Sequence, residues 1–161
     1  MTLRFTVAAV AAVAMLSLGS AADACNVPAN SGAMQAQLID QLNAERRARG
    51  LAPVRLAAAL DKAAQGHACD NAKRQSISHV SSDGSQLQTR LRRAGYAYRT
   101  AAENTGRGFA SGARAVEWWM NSPKHKQNIL LGAAREVGVG IAMSAAPDSR
   151  LHWILVLGKS K

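Results

Sequence analysis

The chain has 161 residues and a mass of 17.0 kDa, enough for one domain of ordinary size and too little for two. A hydrophobic share of 48% with 19% charged residues excludes a disordered or collagen-like chain, and 4% aromatics leaves the core to Ala, Leu, Val and Ile. Lys plus Arg number 20 against 10 Asp plus Glu, a net +10 that favours polyanionic surroundings without selecting one.

Arg4 is followed by an apolar run from Thr6 to Leu18, then by Gly19-Ser20 and the small residues around Ala22-Asp23-Ala24. This is the layout of an export signal over residues 1–24. The run is shorter than the roughly twenty residues a membrane-spanning helix needs. Cleavage after Ala24 would leave Cys25 first, but Asp23 fits a lipid-attachment signal badly. Residues 25–33 then form an N-terminal segment ahead of a domain over 34–161. In a secreted or periplasmic setting, Cys25 and Cys69 are expected to pair, the alternative being two free thiols.

Residues 34–49 carry Leu38, Ile39 and Leu42 at helical spacing, with Asn43 and Arg46 flanking that face and Gly50 as a stop. Pro53 precedes a second helix over about 56–74, whose inner stripe is Leu56, Leu60, Ala63, His67 and Asn71. Cys69 falls on its other side, beside Lys62 and Gln65. After the loop Ser81-Ser82-Asp83-Gly84, with Ser85 as candidate cap, a short helix runs near 86–94 to Gly95. A weak strand holds Ala101 to Thr105. A fourth helix near 112–121 puts Val116, Trp119 and Met120 inward and Trp118 elsewhere, and Ser122-Pro123 stops it. Residues 137–143 and 151–157 read as a hairpin of two strands. Helices first and a hairpin last indicate an α+β fold with an antiparallel sheet.

The chain has no G-x-S-x-G elbow, no H-E-x-x-H helix, no phosphate-cradling glycine loop and no C-x-x-C pair. The chemistry-bearing residues that remain are His79, just after the second helix, His125, just past the fourth, and Glu103 in the weak strand. A Glu among small strand residues needs hydrogen bonds or a cationic partner. Two imidazoles and a carboxylate in one cleft can hold a divalent metal such as zinc, or pass a proton. His67 reads as a satisfied core histidine, His152 as solvent-facing or under a helix, and Glu136 as a solvated strand end.

The motifs Leu42-Asn43-Ala44-Glu45-Arg46, Ile77-Ser78-His79, Gly95-Tyr96, Ala102-Glu103-Asn104, Trp119 through Leu130 and Glu136 through Gly140 come in an order that resembles the CAP superfamily. This is the SCP or cysteine-rich secretory protein domain, here in its bacterial secreted branch. The resemblance implies a three-layer α-β-α sandwich around a small antiparallel sheet. It also implies a cleft with two His and up to two Glu that binds divalent metal in some members. By motif, His79 and His125 are the cleft histidines and Glu103 the first cleft Glu. The second Glu has no counterpart in Trp119-Met120-Asn121-Ser122, so a full catalytic tetrad is not expected.

Three functions follow from this reading. One is an exported binding module whose His79, Glu103 and His125 hold a metal, lipid or peptide. Another is a hydrolase using the same residues, and the third is a basic surface-adhesion protein. For the third, Arg90, Arg92, Arg93 and Arg99 bracket Tyr96 and Tyr98 and would meet anionic envelope polymers. The three side chains can also serve only as a polar network locking loops to the sheet. A monomer is expected, with no transmembrane segment and no nucleic-acid partner.

Overall fold

The first helix, α1 (Ser31–Arg47), buries Met34, Leu38, Leu42 and Arg46 as one four-residue stripe. Gly50, at φ +69°, takes the left-handed turn that releases the chain beyond it. The structure is a computed structural model describing residues 25–147 and 150–161. The export signal read over residues 1–24 lies outside the described residues.

After β1 (Arg55–Leu56), α2 (Ala58–Lys73) buries Leu60, Ala63, Ala64, His67, Ala68, Asn71 and Ala72. Next come α3 (Leu87–Arg93), β2 (Tyr98–Arg107), α4 (Gly112–Met120), α5 (Pro123–Ile129), β3 (Glu136–Met143) and β4 (Leu151–Ser160). The sheet order is β1-β3-β4-β2. Its three long strands are antiparallel as expected, and β1 adds a two-residue parallel edge on β3. Two residues are too few to leave a periodic signal, so this strand was not legible in advance.

Helices cover both faces. Trp153, Leu155 and Leu157 of β4 pack with Leu38, Leu42, Val116 and Trp119 of α1 and α4. The alternate residues Ile154 and Val156 pack with Leu60, Ala64, Ala68 and Leu91 of α2 and α3. This is the expected α-β-α sandwich. On the α2 side, helix and strand backbones nearly touch. A Cβ at Gly138 would lie 2.2 Å from the Leu60 carbonyl carbon, and one at Gly140 2.2 Å from the Ala64 oxygen. Alanine on the helix and glycine on the strand together permit that approach.

α4 stops before Ser122-Pro123 as expected, and Pro123 also opens a further helix, α5, in whose first turn its missing N–H costs nothing. At α3 the capping position falls on Gln86 rather than Ser85, with no side-chain cap. His152 is fully buried, contacting Ser76 O at 3.0 Å and Ser144 Oγ at 2.8 Å. Its strand alternation turns it to the α2 face, so the solvent-facing alternative falls away.

Two long-range ties complete the frame. Cys25 and Cys69 form a disulfide, and Met143 N–H donates to Asn26 O at 2.7 Å. Arg46, wholly buried, meets no carboxylate. Its guanidinium donates to the carbonyls of Ala52, Ile129, Leu131 and Ala134 at 2.7 to 3.2 Å, so one side chain binds α1 to the loops on both sides of it. Burial, then the charge of Arg135, lowers its pKa.

Candidate functional site

The site forms along the free edge of β2. Thr105 Oγ1 donates to Ile77 O at 3.1 Å, tying the segment after α2 to that edge. From the other side, Asn104 Nδ2 donates to His125 O at 3.1 Å. Asn128 Nδ2 reaches Glu103 O at 3.0 Å and Asn104 Oδ1 at 2.8 Å, seating α5. One flanking segment brings His79 and the other His125.

Glu103 lies between them, with its side chain 3% exposed. Its Oε1 is 2.8 Å from His79 Nδ1 and 3.9 Å from His67 Nε2, and its Oε2 accepts from Arg90 Nη2 at 2.6 Å. The cationic partner that a strand-borne Glu requires is therefore Arg90. Arg90 Nη1 also donates to His79 O, Ser81 Oγ and Ser85 O at 3.0 to 3.2 Å, so the same guanidinium locks the His79 loop. Its Nε is buried without a partner.

Sequence reasoning placed Arg90 in a surface cluster. The available signal was its spacing, three residues after Leu87 and next to Leu91, on the inner face of a helix. Arg93 also leaves that cluster, pairing with Asp83 at 2.5 Å.

His67 is the satisfied core histidine expected of it, 2.8 Å from Ser78 O and 3.1 Å from Ser81 Oγ. Burial lowers its pKa, with Glu103 opposing. His125 presents Nδ1 to Ser122 Oγ at 2.7 Å and packs against Trp118, which is half exposed, with ring centroids 5.4 Å apart and planes tilted by 52°. Burial lowers the His125 pKa, and the charge of His79 lowers it further. Each ring engages a partner through Nδ1 and keeps Nε2 available for a ligand.

The acid nearest in sequence to the missing second Glu is Glu117. It is exposed and paired with Arg114 at 2.7 Å. Among the described residues, no three His, Cys, Asp or Glu side chains are grouped to hold a metal ion. Both Glu103 oxygens already have partners, which leaves two imidazole nitrogens as open donors. That set does not fit a resident centre closed by three protein ligands. A cavity of about 340 Å³ behind the 81–85 loop includes His67 and Arg90 but neither His79 nor His125.

Residues 39–157 match the cysteine-rich secretory protein family, CAP. The chain belongs to that family. Among curated relatives, the CAP chain is 29% identical over 121 residues to the uncharacterized protein YkwD of Bacillus subtilis, covering 75% of this chain and 47% of that one. It is 31% identical over 105 residues to the uncharacterized membrane protein YlbC of the same organism, covering 65% and 30%. The chain thus spans less than half the length of these relatives.

Solved structures share the CAP fold. An outer surface protein from Borrelia burgdorferi has a TM-score of 0.75 at 20% identity, covering 86% of this chain and all of that one. An extracellular SCP-domain protein from Bacillus anthracis has 0.71 at 24%, covering 80% and 41%. A cysteine-rich secretory protein from Staphylococcus aureus has 0.65 at 22%, covering 83% and 40%. At these identities the likeness extends to the fold alone.

Proposed function

We propose that this CAP protein is an exported binding module whose His79/His125 cleft captures a small ligand, lipid or peptide, without changing its covalent bonds. The observation that carries this reading is the saturation of Glu103 by Arg90 and His79. A carboxylate held in that way orients an imidazole and is poorly placed to exchange protons with a substrate.

The two open Nε2 atoms suit a hydrogen-bonding headgroup or a divalent cation shared with the ligand. Here zinc would be held by His79 and His125, with Glu103 positioning the first. Apolar contacts come from side chains of the two flanking segments that remain exposed: Ile77 and Val80 beside His79, Trp118 against His125. Export is supported by the disulfide, which persists outside reducing compartments, and by the charge-free apolar run ahead of it. It is also supported by relatives described as outer-surface or extracellular.

Zinc titration of the parent, His79→Ala and His125→Ala tests the cleft. Saturable 1:1 binding lost in both variants is the expected result, and binding unchanged in both removes the shared site.

A second reading is water-activating hydrolysis, favoured by the 2.8 Å contact between His79 and Glu103, which is the geometry of a base held by a carboxylate. Hydrolysis of ester or peptide substrates that disappears in Glu103→Gln would establish it over the binding role.

A further inference from the structure

The sheet register collects positive charge at one end of the molecule. Arg55 pairs with Glu136, Glu136 with Gly158, and Gly158 with Ala101, so the start of β3, the end of β4 and the start of β2 lie side by side. That end carries Arg55, Arg99, Lys159 and Lys161, and the last turn of α3 adds Arg92. Except for Arg55, 3.7 Å from Glu136, none of these five has an ion pair or side-chain hydrogen bond within the described residues.

The single side-chain carboxylate among them is already used. Glu136 Oε2 accepts from Tyr96 OH at 2.6 Å and from Ser160 N–H at 3.1 Å. Those hydrogen bonds, Tyr96 foremost, hold its pKa below the usual carboxylate range. Glu136 Oε1 lies 3.7 Å from Arg55, while Arg92, Arg99, Lys159 and Lys161 carry no ion pair among the described residues.

At this end runs a groove of about 540 Å³ lined by Gln88, Arg92, Tyr96, Tyr98 and Lys161. Arg92 and Lys161 bring charge to the groove, with Tyr98 as an aromatic wall. We infer that this groove is a docking site for a linear phosphate-bearing polyanion, independent of the His79/His125 cleft. Such a polymer presents evenly spaced charges to several flexible cations, and its affinity comes from counterion release.

A lipid bilayer fits less well. Interfacial binding needs apolar side chains beside the cations. Of the large apolar residues exposed among the described residues, Ile77, Val80 and Trp118 belong to the cleft segments and Val27 to the N-terminal segment, leaving Leu56 near this end.

The test is binding of long-chain inorganic polyphosphate to the parent, to Arg92→Gln/Lys161→Gln, and to a control with the same charge loss on α5, Lys124→Gln/Lys126→Gln. All are checked for native circular dichroism and measured between 50 and 200 mM salt. The groove variant should bind about tenfold or more weakly, with a salt slope shallower by about one to two units. The control and His79→Ala should keep close to parental affinity. Equal losses in groove variant and control would overturn the inference, since net charge alone would then suffice. So would tighter binding to anionic phospholipid vesicles, or to single-stranded DNA of matched charge, than to polyphosphate.

Discussion

Arg90 and Glu103, 13 residues apart in sequence, meet at 2.6 Å with both side chains under a tenth exposed. The contact joins α3 to β2 and, through Arg90 Nη1, fixes the loop that carries His79. Breaking one partner of a buried pair strands the other charge. Arg90→Met should therefore cost about 3–5 kcal/mol in urea unfolding. Replacing both residues with apolar ones should recover a large part of that loss. A cost below about 1 kcal/mol for Arg90→Met would show that water reaches the pair.

The two depressed imidazoles set the acid response. His67 and His125 both titrate below the ordinary value when folded, so the unfolded chain takes up protons first as pH falls. Stability contributed by their neutral forms is complete above the unfolded histidine pKa. It declines below it, and levels off once the folded forms protonate. Unfolding free energy should therefore drop between pH 7.5 and 5, and His67→Gln should flatten that slope. An unchanged slope would assign the acid response elsewhere.

His79 and His125 give a local readout of the proposed cleft. Because His79 charge lowers the His125 pKa, His79→Ala should raise the His125 midpoint in an NMR titration. No movement would mean that the rings do not sense one another.

The disulfide closes a loop between residues 44 positions apart. On the chain-entropy model, Cys25→Ser/Cys69→Ser should lower stability by about 4 kcal/mol. Limited proteolysis should then cut first near residues 25–30, whose remaining ties include Met143 N–H to Asn26 O. Equal protease resistance of both forms would contradict this.

Gly140→Ala tests the contact of α2 on β3. A methyl group 2.2 Å from a backbone oxygen must push helix and strand apart. A loss of about 3 kcal/mol or more is expected, against a gain of up to about 1 kcal/mol for Gly66→Ala, exposed in the middle of α2 where nothing lies within 4 Å.

Elements with strong periodicity were legible in the sequence: the stripes of α1, α2 and α4 and the β3–β4 hairpin fall close to their expected places, except that Leu56, expected to head the α2 stripe, lies exposed in β1. Glu103 was recognisable as needing a cation, and Arg90 was visible, yet nothing local linked them. The link depends on β2 running beside the loop after α2, a long-range event. Ser122-Pro123 was read correctly as the stop of α4, but the start of α5 at the same proline was missed for a different reason. Proline both ends one helix and suits the start of another, and only packing decides which. The basic surface was misassigned because neighbours along the chain were taken as neighbours in space. Strand register replaced Arg90 and Arg93 with Arg55, Lys159 and Lys161.

The Cys25–Cys69 bridge also sets where the N-terminal segment sits. Asn26 lies against Met143, the last residue of β3, whereas Glu136, the first, lies 3.7 Å from Arg55. The eight residues of β3 separate these two ends by roughly 25 Å. The bridge thus pins the N-terminal segment at the pole of β3 opposite the arginine- and lysine-rich one.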